Sequence, residues 1–206
     1  MEQAINKKAY ELSKTGELIQ TILIILGTLL VPAFAPQLLI TVFGKTSWIA
    51  SHSQIVVGSI VNTALIIAGL NLKGWRKLIL VATLPSLSAI GSGYIFGSLT
   101  KVTIFMIPGI WLGNFSLMVL MKYLYANKKV NYIVSSAISI IVKVAIIFGI
   151  LNIWMAASVL PSKGVVANTL RNTMGLTQII TATIGAIISV LVIKLGFEHT
   201  ENKAKK

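Results

Sequence analysis

Six long apolar stretches separated by short polar breaks set the pattern of this chain: residues 18–43, 55–72, 78–96, 102–124, 130–157 and 174–197. A bilayer core of about 30 Å needs about 20 helical residues. All six lengths fit once tilt and interfacial ends are allowed for. The connectors run from 5 to about 16 residues, too short for a separate soluble domain. The pattern predicts an all-α polytopic membrane protein, a bundle of six transmembrane helices over 18–197 between tails at 1–17 and 198–206.

Composition agrees. Of the 206 residues, 55% are hydrophobic and 11% charged, with a mean hydropathy of +0.86; a soluble domain carries about a quarter charged residues. Eighteen Lys and Arg against five Asp and Glu give a net charge of +13. In a soluble protein that excess would point to nucleic acid, but here the basic residues lie between apolar runs and report topology instead. Lys7, Lys8 and Lys14, then Lys73, Arg76 and Lys77, then Lys122, Lys128 and Lys129, then Lys194, Lys203, Lys205 and Lys206 put 13 charges on one side. Lys45, Lys101, Lys163 and Arg171 put 4 on the other, and Lys143 lies within the fifth stretch. The split predicts both termini inside, in a multi-pass protein of the cell membrane.

The N-terminus imitates a secretory signal: Lys7, Lys8 and Lys14, an apolar run, then Ala33-Phe34-Ala35. Pro36 would follow such a cut, the apolar run resumes over 38–43, and removal would destroy the charge alternation. The segment is therefore expected to be a retained first helix, kinked near Pro32 and Pro36. Ile5, Ala9 and Leu12 recur near helical spacing and predict a short amphipathic helix within 1–17.

Catalytic signatures are thin. The chain has no Cys, and its five acids all lie in the two ends. That removes thiolate chemistry, carboxylate proton relays and acidic cation sites within the membrane. His52 and His199 are expected on opposite sides, too far apart to share a metal. HExxH, G-x-S-x-G and Walker A patterns are absent. The expectation is a non-enzyme without metal or cofactor.

What remains is a band of polar groups inside the spans. At about 1.5 Å per helical residue, Asn62, Trp111 and Lys143 all fall about 10 to 13 Å below the outer surface. Asn114 lies a turn deeper than Trp111, and Gln178 and Thr181 share a face of the sixth stretch. Residues from four stretches thus meet one depth, which suggests an outward-opening cavity. Lys143 has no acid to pair with and must meet water, carbonyls, an amide such as Asn114, or an anionic ligand. Asn62, Asn114 and Gln178 suit either ligand contact or hydrogen bonds between helices; Trp111 suits stacking on a planar ligand or space-filling. Ser135, Ser136 and Ser139 continue a polar stripe from Lys143. Trp48, Trp75 and Trp154 are read as belt residues. The pairs Gly109/Gly113 and Gly93/Gly97, with the small face Ala182, Gly185, Ala186 and Ser189, mark internal seams or docking surfaces.

Four segments carry a family resemblance: Val57-Gly58-Ser59-Ile60-Val61-Asn62-Thr63-Ala64-Leu65, Leu84-Pro85-Ser86-Leu87, Ile107-Pro108-Gly109-Ile110-Trp111-Leu112-Gly113-Asn114, and Gly175-Leu176-Thr177-Gln178-Ile179-Ile180-Thr181-Ala182. Together with the layout over 18–197, they resemble the substrate-binding S components of energy-coupling factor (ECF) transporters. The resemblance implies six helices with both ends cytoplasmic and a vitamin- or cofactor-precursor-sized ligand held near the outer surface. It also implies a membrane coupling subunit and two cytoplasmic ABC ATPases as partners. The paired alanines that many S components carry on the first helix are missing here. Lys143, Lys163 and Arg171 favour a neutral or anionic ligand. A second reading, a non-transporting assembly, immunity or scaffold protein, would use the glycine faces and basic loops for protein contacts.

Overall fold

The structure, a computed structural model, describes residues 14–204, with side chains over 15–193. The amphipathic segment expected around Ile5, Ala9 and Leu12 lies outside the described residues. Within them the fold is all-α, without strands. Nine α-helices follow in order: α1 Lys14–Phe43, α2 Trp48–Ser51, α3 Ser53–Asn71, α4 Trp75–Ser92, α5 Thr100–Thr103, α6 Ile107–Met121, α7 Tyr132–Ala156, α8 Gly164–Met174 and α9 Leu176–Ala204. Tight 3-10 turns flank α5, and α6 runs on into a π-helical turn, Lys122–Asn127.

Five helical segments are long and apolar enough to cross a membrane: Thr15–Phe43, Ser53–Asn71, Gly97–Asn127, Tyr132–Ala156 and Gly164–Ile193. They fit a multi-pass membrane protein. Helix α4 occupies the place of the third expected span but stands apart from these five. It has 18 residues, opens on Arg76 and Lys77, and carries Thr83, Ser86, Ser88 and Ser92 further along.

Helices α1, α4, α6, α7 and α9 pack in that order around the bundle, and α3 touches α1, α4, α6 and α9. This central place explains why α3 is buried on most of its circumference from Asn62 onward. One end of the bundle, the terminal end, holds the start of α1, the turns at 72–74 and 128–131, and the end of α9. The other, the loop end, holds 44–52, 93–106 and 157–175. Apolar side chains form two clusters, one around Leu65, Leu70, Leu117 and Met121 and one around Met106, Ile147, Leu151 and Leu170.

Helix α1 runs unbroken through Pro32 and Pro36. Pro36 has no N–H for the carbonyl of Pro32, and Ser92 Oγ on α4 donates to that carbonyl at 3.4 Å. Ser88 Oγ likewise donates to the carbonyl of Leu29. A neighbouring helix thus re-satisfies the carbonyl that Pro36 leaves without a partner, the usual condition for proline in a membrane helix.

Two expected spans are broken in the structure. Residues 102–124 contain the 3-10 turn Ile104–Met106, after which Pro108 opens α6, where its missing N–H costs nothing. The last stretch starts one residue later than Gly175, whose backbone leaves the helical region and separates α8 from α9. The Gly93/Gly97 pair is not a packing seam. Both residues have positive φ, +71° and +52°, and a Cβ on either would meet open space; they are turn glycines after α4. Lys122, expected in a loop, is buried, and its Nζ donates at 2.5 Å to the carbonyl of Leu72. That carbonyl caps the C-terminus of α3, where helical partners run out and a cation is favoured.

Candidate functional site

A cavity of about 80 Å³ opens at the loop end. All six long helices contribute to its wall: Pro32 from α1, Asn62 from α3, Ser86 from α4, Asn114 from α6, Lys143 from α7 and Gln178 from α9. Thr181 also lines it. Trp111 does not, but its indole Nε1 donates to Ser86 Oγ at 2.7 Å, and Ser86 does. Five of the six residues singled out from the sequence therefore line one space, and Trp111 reaches it only through Ser86.

Lys143 sits near the middle of α7 and is 2% exposed. Its Nζ donates to Asn62 Oδ1 at 2.5 Å. Asn62 in turn donates through Nδ2 to the carbonyl of Gly58 at 2.8 Å and to Thr181 Oγ1 at 3.2 Å. The amide is thereby oriented, oxygen toward the lysine, and cannot turn over without losing both donations. Lys143 thus has both fates considered for it: it bonds another helix and it faces the cavity.

Close backbone approach holds this arrangement. A Cβ on Gly185 would fall 2.6 Å from Asn62 Cβ, and one on Gly58 would fall 2.8 Å from Thr181 Cγ2. Only glycine at these positions lets α9 come near enough to α3 for the Asn62–Thr181 bond. Thr63 Oγ1 adds a bond across the same seam to the carbonyl of Gly185 at 3.2 Å. Asn114 Nδ2 donates to the carbonyl of Ala82 at 3.1 Å, joining α6 to α4. Gln178 Nε2 makes only a long contact, 3.5 Å, with the carbonyl of Thr173.

Other expectations resolve into structure. Ser135, Ser136 and Ser139 are buried, but they donate to carbonyls of 130–135, so their stripe belongs to the backbone of the chain's own turn and helix. Gly109 and Gly113 face Ile150 and Ile147 of α7, which makes that pair an internal seam. Trp154 packs into the second apolar cluster with its Nε1 buried and unbonded, unlike the exposed Trp48, which stacks on His52 at 4.5 Å. Among the described residues no three His, Cys, Asp or Glu side chains come close enough to hold a metal ion.

Sequence reasoning missed Gln54, Gly58, Ser86 and Thr177 as cavity residues. Gly58 and Gln54 precede Asn62 by one and two helical turns, so the helical repeat alone places them on its face. Ser86 follows Pro85 and carries no such signal. Ser86→Ala is expected to cost about 1 kcal/mol by leaving the half-buried indole N–H without an acceptor. Near-UV circular dichroism checks this: the signal of Trp111 should change, and adding Trp111→Phe should cost nothing more.

No family model, curated protein or solved structure matches this chain.

Proposed function

We propose that this chain is the substrate-binding membrane subunit of an ATP-driven uptake system of the ECF S-component kind, taking up a small molecule of the vitamin or cofactor-precursor class. The observation that supports it is the cavity itself: polar side chains from five of the six long helices, with Pro32 from α1, converge on one opening at the loop end. In this reading α4 is the sixth span, since its 18 residues reach about 27 Å. Both termini then lie in the cytoplasm, and the cavity opens outward across the cell membrane.

The chain carries no nucleotide-binding motif, so energy must come from partners: a membrane coupling subunit and two cytoplasmic ABC ATPases. Without paired alanines on α1, the contact with a coupling subunit must differ from theirs; Leu18, Leu23, Phe34 and Leu38 of α1 are each more than 60% exposed. The scaffold alternative loses its main support, because the Gly109/Gly113 and Gly185 faces are occupied within the bundle.

Affinity purification of the tagged chain from its native membrane, after mild crosslinking, tests this. Recovery of a coupling subunit with ABC ATPases is the expected result. Their absence, under conditions that preserve a known transporter of this kind, overturns it.

A further inference from the structure

Among the described residues, Lys143 is the fully buried lysine that faces the cavity; Lys122, the other buried lysine, belongs to the terminal end. An ammonium has three N–H donors. Asn62 Oδ1 takes one, and among the described residues no second protein acceptor bonds Lys143. Asn62 is committed through its own donations and offers nothing more. No Asp or Glu occurs anywhere between residues 18 and 197, so the protein supplies no counter-charge within the bundle. A buried charge left in this state is costly and is normally paired.

The surroundings have the same sign. Lys45, Lys101 and Lys163 are exposed around the loop end, Arg171 is half-buried there, and no acid accompanies them. Such a field gathers anions at the mouth of the cavity. Beyond the lysine, Val57, Val61, Ala89, Phe96 and Ile110 give the wall an apolar stretch.

Resting on the reading of this cavity as a ligand site, we infer that its ligand is a small organic acid whose carboxylate accepts the N–H bonds of Lys143 that Asn62 leaves free, with its apolar body against the α3–α4–α6 wall. One lysine matches one negative charge. A phosphate monoester, with close to two charges and three acceptor oxygens, would bury a second charge that nothing here balances.

The test uses the full chain in lipid nanodiscs and matched acid–amide pairs: propionate and propionamide, benzoate and benzamide, phenylacetate and phenylacetamide. Inorganic phosphate is a further probe, and binding is read by tryptophan fluorescence and by the shift in unfolding temperature. At least one acid should bind saturably and at least 10-fold tighter than its amide. Lys143→Met should abolish that preference while still unfolding cooperatively. Amides that bind as well as the acids, acid binding untouched by Lys143→Met, phosphate that outcompetes every acid, or no saturable acid at all would each overturn the assignment. The uptake reading fails separately. A recovered coupling subunit without acid preference leaves transport of a neutral ligand, and acid preference without a coupling subunit leaves a solitary binding protein.

Discussion

Asn62→Leu is expected to destabilise the bundle by about 3 kcal/mol, more than the loss of one ordinary hydrogen bond, because it strands a buried charge. Asn62 Oδ1 is the acceptor that Lys143 has inside the protein, and the lysine is 2% exposed with no carboxylate anywhere between residues 18 and 197. Removing the amide also strips Thr181 Oγ1 and the carbonyl of Gly58 of a donor. Lys143→Met is the informative contrast. It removes the charge together with its need for a partner, keeps a long flexible apolar side chain in the same space, and should cost less than about 1 kcal/mol. The double variant should then recover most of what Asn62→Leu loses. Unfolding in mixed micelles, followed by far-UV circular dichroism across a denaturing-detergent titration, gives the four free energies. If Asn62→Leu and the double variant are equally unstable, the defect lies in the α3–α9 seam and not in the stranded lysine.

The positions of that network were legible in the sequence because membrane helices make depth a linear function of residue number. Counting about 1.5 Å per residue from each end places Asn62, Trp111 and Lys143 within one band, and polar groups in lipid must find one another. Which of them would pair was not legible. Depth fixes one coordinate, whereas the rotation of each helix about its axis depends on packing that periodicity describes poorly when every face is apolar. Trp111 shows the difference. It stands one turn from Asn114, yet its indole turns to Ser86 and leaves the cavity wall to Ile110 and Asn114.

Helix ends were read less well than helix positions, again for physical reasons. An apolar count cannot separate a continuous span from one interrupted by a 3-10 turn, as at Ile104–Met106, because both present the same residues to lipid. Nor can it separate a loop lysine from Lys122, whose charge is drawn inward by the orphan carbonyl at the end of α3. The spacing of Gly93 and Gly97 matches a packing pair, but the positive φ at both assigns them to the turn after α4. Gly185 and Gly58, by contrast, are true close-approach sites, and the seam they allow brings Asn62 within reach of Thr181.

A seam where backbone meets backbone lies away from the cavity and yields the second large effect. A Cβ on Gly69 of α3 would fall 2.6 Å from the carbonyl oxygen of Met118 and 2.8 Å from its Cα, both backbone atoms of α6. A flexible side chain could move aside, but here α3 and α6 themselves must separate. Gly69, Leu70 and Leu72 pack there with Leu117, Met118 and Met121 in the main apolar cluster, so separation opens the most buried part of the bundle. Gly69→Ala is therefore expected to cost about 3 kcal/mol, at the top of the usual range for overpacking, and Gly69→Leu to prevent folding. Gly149 of α7 is the control. A Cβ there meets nothing within 4 Å, and Gly149→Ala should be neutral or stabilise by up to about 1 kcal/mol through helix propensity alone. The same micelle titration reads both variants. Equal stabilities for Gly69→Ala and the unaltered chain would mean that α3 and α6 do not meet at this register. Since α3 carries Asn62 and α6 carries Asn114, that outcome would also dissolve the cavity between them.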